Sequence, residues 1–253
     1  MIIVKTPEEI KIMAESGKIL ASIMKKLEKM VEPGITTEKL DKAAEDLVLA
    51  SGGQCSFKGY HGYPSCLCTS INEEIVHAIP SKRILKEGDI ISLDLGIKYH
   101  GLHADTAVTL PVVVTRNSAY AENVVSLLET TKEALEIGIK AVKPGNYFGD
   151  ISLAIQKYVE SQGFNVVKQL CGHGIGKNLH EDPEILNYGK AGTGPTLREG
   201  MVFCLEPMVS VGDWHIKKSK DGFGYETKDG SLSAHFEHTI AVTQSGSRVL
   251  TKI

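Results

Sequence analysis

The sequence predicts an α/β fold made of two copies of one unit, related by a pseudo-twofold axis, with a central antiparallel sheet covered by helices. Two turns, Pro33-Gly34 and Pro144-Gly145, each lead into a helical stretch that ends at a glycine 19 residues after the proline. Further along, two apolar runs end in an acidic residue, at Leu93-Asp94 and at Leu205-Glu206. Repeats with a fixed shift indicate that one supersecondary unit has been duplicated.

Four helices are predicted in chain order. The motif Thr6-Pro7-Glu8-Glu9 favours a helix start, with the threonine as N-cap and the second glutamate completing a capping box. The apolar residues that follow recur at helical spacing. The other three helices are predicted from Thr36 or Thr37 to Gly52-Gly53, from Tyr120 to Val142, and from Phe148 to Gln162.

Alternating apolar and polar residues between the second and third helices predict a β-hairpin over Asp89–Leu110. A turn centred between Tyr99 and His100 would place Asp94 opposite Asp105, with Cβ atoms about 5 Å apart. Two such carboxylates repel each other and resist losing water, so the pair favours a metal cation or a shared proton between them. A solvated hairpin whose aspartates never meet is the alternative.

Composition limits the classes of function. The 253 residues include 42% hydrophobic and 23% charged residues, as in an ordinary globular protein. A net charge of -3 argues against direct nucleic-acid specificity. The N-terminal apolar run is too short for a signal peptide, and none reaches membrane-spanning length, so we expect a cytoplasmic protein with no membrane partner. Of five cysteines only Cys66 and Cys68 are closely spaced, which argues against structural zinc and favours reduced thiols.

The duplication pairs the acidic residues of the two halves. Asp94 corresponds to Glu206, and Asp105 has a looser counterpart in Glu237, so a pseudo-twofold axis would bring four carboxylates together. His173 adds an imidazole, and the glycines beside it would let the backbone approach a metal. This oxygen-rich set suits two divalent ions about 3.5–4 Å apart. A phosphate-binding loop is the weaker alternative, because the lysine and hydroxyl of a P-loop are missing.

We expect one catalytic domain over residues 1–253, with halves at approximately 10–110 and 120–243, because the chain contains no low-complexity tract and no long linker. The ordered set of acids and histidine resembles the methionine aminopeptidases, which share the pita-bread fold of prolidases and creatinase. The resemblance spans essentially the whole chain. It rests on six segments in order: S-I-N-E-E-I-V-H-A-I-P-S, G-D-I-I-S-L-D-L-G, H-A-D-T, G-H-G-I-G-x-x-x-H-E-x-P, G-M-V-F-C-L-E-P-M and S-A-H-F-E-H-T. The chain resembles the short bacterial type I form, because it has no large insertion between His173 and Glu206.

The resemblance implies a dinuclear centre that binds cobalt, manganese, iron or zinc. Asp94 would chelate one ion, His173 and Glu206 the other, and Asp105 and Glu237 would bridge them. A metal-bridged hydroxide would then attack the scissile carbonyl, with Glu206 as general base.

The resemblance also implies substrate-binding residues. His180 would polarise the scissile carbonyl and His77 would assist at the departing nitrogen; structural histidines are the alternative for both. His235 stands where relatives commonly have glutamine, and Leu179 and Phe223 where many have phenylalanine and tryptophan. An apolar and sulfur-lined pocket suits a thioether, although plain core packing is the alternative. The methionine pocket would be lined by Phe57, Tyr60, Tyr63, Cys68, Leu179 and Phe223.

The implied function is removal of the initiator methionine from nascent polypeptides and peptides when the second residue is small. The resemblance implies a monomer in transient contact with the ribosome. One alternative is an Xaa-Pro peptidase of the same fold, which usually has an additional N-terminal domain for which this chain has no residues. The other is a non-catalytic binding module for ribosomes or histones, although such modules typically lose metal ligands.

Overall fold

Four α-helices are present among the residues that the computed structural model describes, 1–113 and 119–252. Each begins within two residues of its predicted start, and the last three also end within two residues of their predicted ends. At the first, the Glu9 amide donates to Thr6 Oγ1 at 3.2 Å and the Thr6 amide donates to the Glu9 carboxylate at 2.9 Å, which confirms the capping box. No helix in this part of the chain is long and apolar enough to cross a membrane. The helices are α1 (Pro7–Glu28), α2 (Thr37–Ala50), α3 (Ala119–Ala141) and α4 (Phe148–Ser161).

A nine-stranded antiparallel sheet forms the centre of the fold. Its strand order is β1-β4-β5-β14-β9-β7-β8, with β2 also paired to β4 and β15 to β14. Two smaller sheets have the orders β13-β10-β6 and β11-β12-β3. The strands are β1 (Gln54–Cys55), β2 (Leu67–Ile71), β3 (Glu74–Val76), β4 (Ile90–Tyr99), β5 (Leu102–Pro111), β6 (Asn165–Val166), β7 (Cys171–Gly174), β8 (Glu181–Leu186), β9 (Val202–Leu205), β10 (Met208–Ser210), β11 (Ile216–Lys218), β12 (Tyr225–Thr227), β13 (Ser233–His235), β14 (Glu237–Thr243) and β15 (Gly246–Val249).

The predicted duplication is visible at the centre of this sheet. Strands β4 and β5 of the first half meet β14 and β9 of the second in the order β4-β5-β14-β9, so the pseudo-twofold relation passes between β5 and β14. The two proline–glycine turns make equivalent backbone bonds. Gly34 N–H donates to Leu85 O at 2.9 Å, and Gly145 N–H donates to Leu197 O at 3.0 Å. Each turn is therefore tied to the segment that enters the corresponding central strand.

The register of the β4–β5 hairpin differs from the predicted one. The turn lies at His100-Gly101, with φ values of 48° and 83°, one residue later than expected. A tight two-residue hairpin turn needs positive φ at both positions, and glycine adopts it without strain. As a result, Asp94 lies opposite Ala107, and Asp105 lies opposite Gly96. The predicted direct pairing of the two aspartates is wrong; they are diagonal neighbours on one face of the hairpin.

The helices cover the sheet and leave the acidic residues on the other side. Leu27 of α1 and Leu40 of α2 pack in one buried cluster with Leu93 of β4. Ile155 of α4 packs in a second buried cluster with Phe203 of β9. Successive strand residues point to opposite faces, so Asp94 and Cys204 point away from these two cores.

The expectation of reduced thiols is wrong for one pair of cysteines. Cys55 and Cys66 form a disulfide with their Cα atoms 5.1 Å apart. Both β1 and β2 pair with the same edge of β4, which returns the chain to its starting point after the intervening loop. Spacing along the sequence does not reveal such a contact. Among the described residues, Cys68, Cys171 and Cys204 are free.

Candidate metal centre and substrate pocket

Five adjacent strands supply the five side chains that the sequence analysis singled out as metal ligands. Asp94 lies on β4, Asp105 on β5, Glu237 at the start of β14 and His173 on β7, and Glu206 directly follows β9. These strands are consecutive neighbours in the sheet, so their side chains meet on one face. Each of the four acidic residues is at most 9% exposed. The fold thus brings together acids that are 143 positions apart at the extremes of the chain.

The donor atoms are close enough to share a cation. The ligand atoms of Asp105, His173, Cys204 and Glu237 all lie within 4.8 Å of one another. His173 Nε2 lies 3.6 Å from a carboxylate oxygen of Glu206. An ion between these atoms would have oxygen and imidazole donors on several sides, which is a set that divalent transition metals accept.

Burial raises the pKa of all four carboxyl groups. Loss of water raises the pKa of Asp105 to about 7. It also raises the pKa values of Asp94, Glu206 and Glu237 well above their usual range, with the negative charge of Asp105 as the next cause. In addition, Asp94 Oδ1 and Glu237 Oε1 are buried with no hydrogen-bond partner. Because a bound cation would relieve both the repulsion and the missing bonds, the residues fit a divalent metal site.

Cys204 is a site residue that the sequence analysis missed. It precedes Glu206 by two positions, and its Sγ lies 3.7 Å from Thr239 Oγ1. The period of two along β9 is the signal that could have found it, because residues 204 and 206 face the same side. Burial, followed by the negative charge of Glu237, raises the pKa of this thiol well above its usual range. A softer sulfur donor therefore lies beside the hard oxygen set.

The glycines on both sides of His173 allow close packing of backbones. A Cβ at Gly172 would lie 2.3 Å from the carbonyl oxygen of Cys204, and one at Gly174 would lie 2.1 Å from that of Asp182. No side chain fits at either position unless a neighbouring strand moves. Close contact between strands thus accounts for this Gly-His-Gly sequence, and it fixes His173 against β9.

His180 and His77 lie beside the carboxylate cluster. The His180 ring meets the His173 ring edge-on at 4.1 Å between centroids, and Tyr60 Oη lies 2.9 Å from His180 Nδ1. His77 has a φ of 61°, an uncommon conformation for a residue other than glycine. The residue as a whole is exposed, but partial loss of water around the ring, then the charge of His180, lowers the pKa of His77 to about 4. The pKa of His180 is lowered for the same first reason. Both rings are therefore neutral near pH 7.

His235 is buried next to one of the candidate ligands. Its Nε2 lies 3.7 Å from a Glu206 carboxylate oxygen, and neither ring nitrogen has a hydrogen-bond partner among the described residues. Loss of water, then the charge of His77, lowers its pKa to about 3. The backbone N–H of His235 donates to Thr109 Oγ1 at 2.8 Å, which holds it against β5. The departure from the family pattern thus puts a neutral imidazole against Glu206.

The six residues predicted for the methionine pocket share one apolar cluster beside the acids. The rings of Tyr63 and Phe223 meet edge-on at 5.6 Å between centroids. Cys68 is the partner of Asp94 across the β2–β4 ladder, so this cluster adjoins the candidate metal centre directly. The buried members are Phe57, Tyr63, Cys68 and Leu179, and Tyr60 and Phe223 pack at the edge.

A duplicated α/β sheet that holds four acids and a histidine in a buried cleft defines a metal-dependent hydrolase. Residues 11–244 match the model of metallopeptidase family M24, and the chain belongs to this family. Divalent metal use follows from this membership and from the donor set described above.

Known relatives cover the full length of the chain. Methionine aminopeptidase 1 from Bacillus subtilis is 47% identical over 100% of both chains. The crystal structure of methionine aminopeptidase from Thermotoga maritima matches with a TM-score of 0.96 and 45% identity, again over 100% of both chains. A Xaa-Pro dipeptidase from Bacillus anthracis matches with a TM-score of 0.75 and 22% identity, over 99% of this chain and 62% of the other. The last likeness concerns the fold alone.

Proposed function

We propose that the chain is a methionine aminopeptidase that removes the N-terminal methionine of nascent proteins and peptides when the second residue is small. The observation that carries the proposal is the approach of the Asp105, His173 and Glu237 donor atoms to within 4.8 Å, beside a cluster rich in aromatic side chains. Full-length similarity to proteins named methionine aminopeptidase supports it.

The proposed centre would bind two divalent ions. Asp94 would hold one, His173 and Glu206 would hold the other, and Asp105 and Glu237 would be available to both. Cobalt, manganese, iron and zinc all suit such oxygen ligands with one imidazole. When bound, the ions lower the pKa of water and so supply hydroxide at neutral pH.

The neighbouring side chains complete the reaction. We assign His180 the tautomer in which the Tyr60 hydroxyl donates to Nδ1, 2.9 Å away. The proton of the neutral His180 ring then resides on Nε2. This N–H donates a hydrogen bond to the carbonyl oxygen of the scissile bond. Glu206 would accept the proton of the attacking water and pass it to the departing amide nitrogen, at which His77 donates a hydrogen bond.

The apolar cluster is the proposed site for the methionine side chain. A thioether packs well against the edges of aromatic rings such as Tyr63 and Phe223, and against the sulfur of Cys68. Because the substrates are newly made chains, we place the activity in the cytoplasm, with a monomer that contacts the ribosome transiently.

Peptide cleavage tests the proposal. With metal supplied, we expect Met-Ala-Ser to be cleaved at least about tenfold faster than Met-Leu-Ser or Met-Lys-Ser, and a chelator to abolish cleavage until metal is restored. The matched variant Asp105→Asn should lose both activity and bound metal, as measured by elemental analysis. Equal turnover of the three peptides would contradict the proposed specificity. Cleavage of Xaa-Pro peptides alone would favour the prolidase alternative, and no cleavage of any peptide would favour a binding module.

A further inference from the structure

The Cys55–Cys66 disulfide closes the loop that carries half of the proposed methionine pocket. Cys55 ends β1 and lies opposite Ile97 of β4, and Cys66 immediately precedes β2, whose first residue pairs with Leu95 of β4. The chain therefore leaves the edge of β4, makes the loop over 56–65, and returns to the same edge two positions along. The disulfide joins the two ends of this loop, which we call the pocket loop.

The two ends of the pocket loop are held by different contacts. On the return side, a single carboxylate oxygen of Asp41 accepts hydrogen bonds from the amides of Cys66 and Leu67, both at 2.9 Å, and the five-residue β2 follows. On the entry side, the two-residue β1 is followed by Ser56, whose N–H donates to Gly96 O at 3.0 Å and whose Oγ lies 2.9 Å from His103 Nδ1. The disulfide joins these two ends covalently.

The tip of the pocket loop reaches the proposed catalytic residues through few contacts. Tyr60 Oη lies 2.9 Å from His180 Nδ1, and Tyr63 Oη donates to Ala78 O at 3.0 Å. Gly59 and His61 have φ values of 89° and 46°, and both are exposed. The aromatic rings of the loop are therefore kept in place by its two ends, by these two hydroxyls and by the ion pair of Lys58 with Glu45 at 2.6 Å.

We propose that the Cys55–Cys66 crosslink is a positioning element of the substrate pocket, which holds the Phe57, Tyr60 and Tyr63 rings for the methionine side chain and for His180. The inference rests on the proposed aminopeptidase function. Opening the crosslink removes the covalent link between the two ends of the loop, so the rings lose their fixed arrangement and binding of the first side chain weakens. A crosslink that only stabilises the fold would instead lower the melting temperature and leave substrate discrimination unchanged.

Thiol counting establishes the crosslink first. Denatured but unreduced protein should show three reactive thiols, and reduced protein all five. Five thiols without reductant would overturn the proposal. Trypsin supplies a readout that needs no activity, because Lys58 in the loop is exposed. Cleavage after Lys58 should be faster in reduced than in oxidised protein, and an unchanged rate would also overturn the proposal.

Kinetics of Cys55→Ala then separate positioning from stability. This variant opens the crosslink at its half-buried end and leaves the fully buried Cys66 in place. We expect KM for Met-Ala-Ser to rise, and the preference in kcat/KM for Met-Ala-Ser over Leu-Ala-Ser to fall, both by about tenfold, or 1.4 kcal/mol. Dithiothreitol, which reduces the disulfide to two thiols and is itself oxidised, should change the wild type likewise and leave Cys55→Ala unaffected.

A helix-cap variant controls for general destabilisation. Thr6→Ala removes the cap of α1 outside the pocket loop and should lower the melting temperature without changing the preference for methionine. An unchanged preference in Cys55→Ala would overturn the positioning role even if its melting temperature fell. Oxidised wild-type protein that fails to cleave Met-Ala-Ser would instead contradict the proposed function itself, and this inference with it.

Discussion

At the scale of single residues, the contact between Tyr60 and His180 sets the chemistry of the proposed site. A neutral imidazole has one donor and one acceptor nitrogen, and in the proposed mechanism the phenol donates to Nδ1 and leaves the proton on Nε2. Without this partner, the ring can turn or exchange tautomers, and its N–H is no longer aimed at the substrate. The distinction between a catalytic and a structural histidine therefore depends on a contact that the sequence does not reveal.

Replacement of His180 by alanine should lower kcat for Met-Ala-Ser by about 10²-fold, with a smaller change in KM, because a donor to the developing oxyanion acts mainly in the transition state. Tyr60→Phe should lower kcat less, since the imidazole remains. Steady-state kinetics of both variants provide the measurement. His215→Ala is the control, because this half-buried histidine pairs with Asp213 at the surface. An unchanged kcat in His180→Ala would return this residue to a structural role.

At the scale of elements, close packing of β7 against β9 determines where His173 lies. The carbonyl of Cys204 occupies the space that a Cβ on Gly172 would need, at 2.3 Å. We expect Gly172→Ala to lower the free energy of unfolding by about 1–3 kcal/mol, because the backbone of a strand cannot move aside as a flexible side chain can. Urea denaturation measures this. Gly189→Ala is the matched control, since its nearest neighbour would be the Ser152 side chain at 3.2 Å. Equal losses in the two variants would contradict the explanation.

The elements that the sequence predicted well are those governed by local signals. Helix α1 begins where its capping box lies, and the other helix ends follow caps and glycines within two residues of expectation. The hairpin register was wrong because the choice among neighbouring turn positions depends on small backbone preferences at His100 and Gly101. Because the turn lies one residue later than predicted, the residue opposite Asp105 in the hairpin is Gly96 and not Asp94.

Long-range contacts account for what the sequence did not predict. The disulfide and the approach of Cys204 to the acidic cluster both depend on which strands become neighbours, and spacing along the chain carries no such information. The meeting of the acids was predictable only because the repeat relates Asp94 to Glu206 and Asp105 to Glu237. The individual metal, catalytic and pocket roles, and the division at approximately 10–110 and 120–243, stay predictions.

At the scale of the whole molecule, two sets of buried groups give opposite pH dependences to the metal-free protein. The four carboxyl groups have raised pKa values, about 7 for Asp105, whereas unfolded carboxyls titrate near pH 4. Between these values the folded state binds more protons than the unfolded state. Their contribution therefore stabilises the metal-free fold as pH falls from about 7 towards 4, and it is lost as pH rises.

Six histidines with lowered pKa values act in the other direction. Their pKa values are lowered, chiefly by loss of water, whereas unfolded histidine titrates near 6.5. Acidification below about pH 6.5 thus protonates the unfolded state first and destabilises the fold. The groups are His77, His103 and His238, with pKa values of about 4, His173 and His235, with values of about 3, and His180. Because five of these six histidines are not proposed metal ligands, comparing the metal-free and metal-bound forms reports mainly the carboxyl groups together with His173.

We expect bound metal to raise the melting temperature most at pH 7 and progressively less down to pH 5. In the metal-bound form the carboxylates stay ionised, so acidification does not increase their contribution to stability. Protons also compete with the ions for the same oxygens and for His173. Each carboxyl group changes the difference in unfolding free energy between the two forms by at most roughly 1.4 kcal/mol per pH unit.

Thermal unfolding with and without chelator at pH 7, 6 and 5, with metal content measured in each sample, tests this. Asp105→Asn is the control, in which chelation should have a smaller effect. An unchanged melting temperature at pH 7 after confirmed metal removal, or a gap that widens towards pH 5, would show that the carboxylates do not converge on a metal.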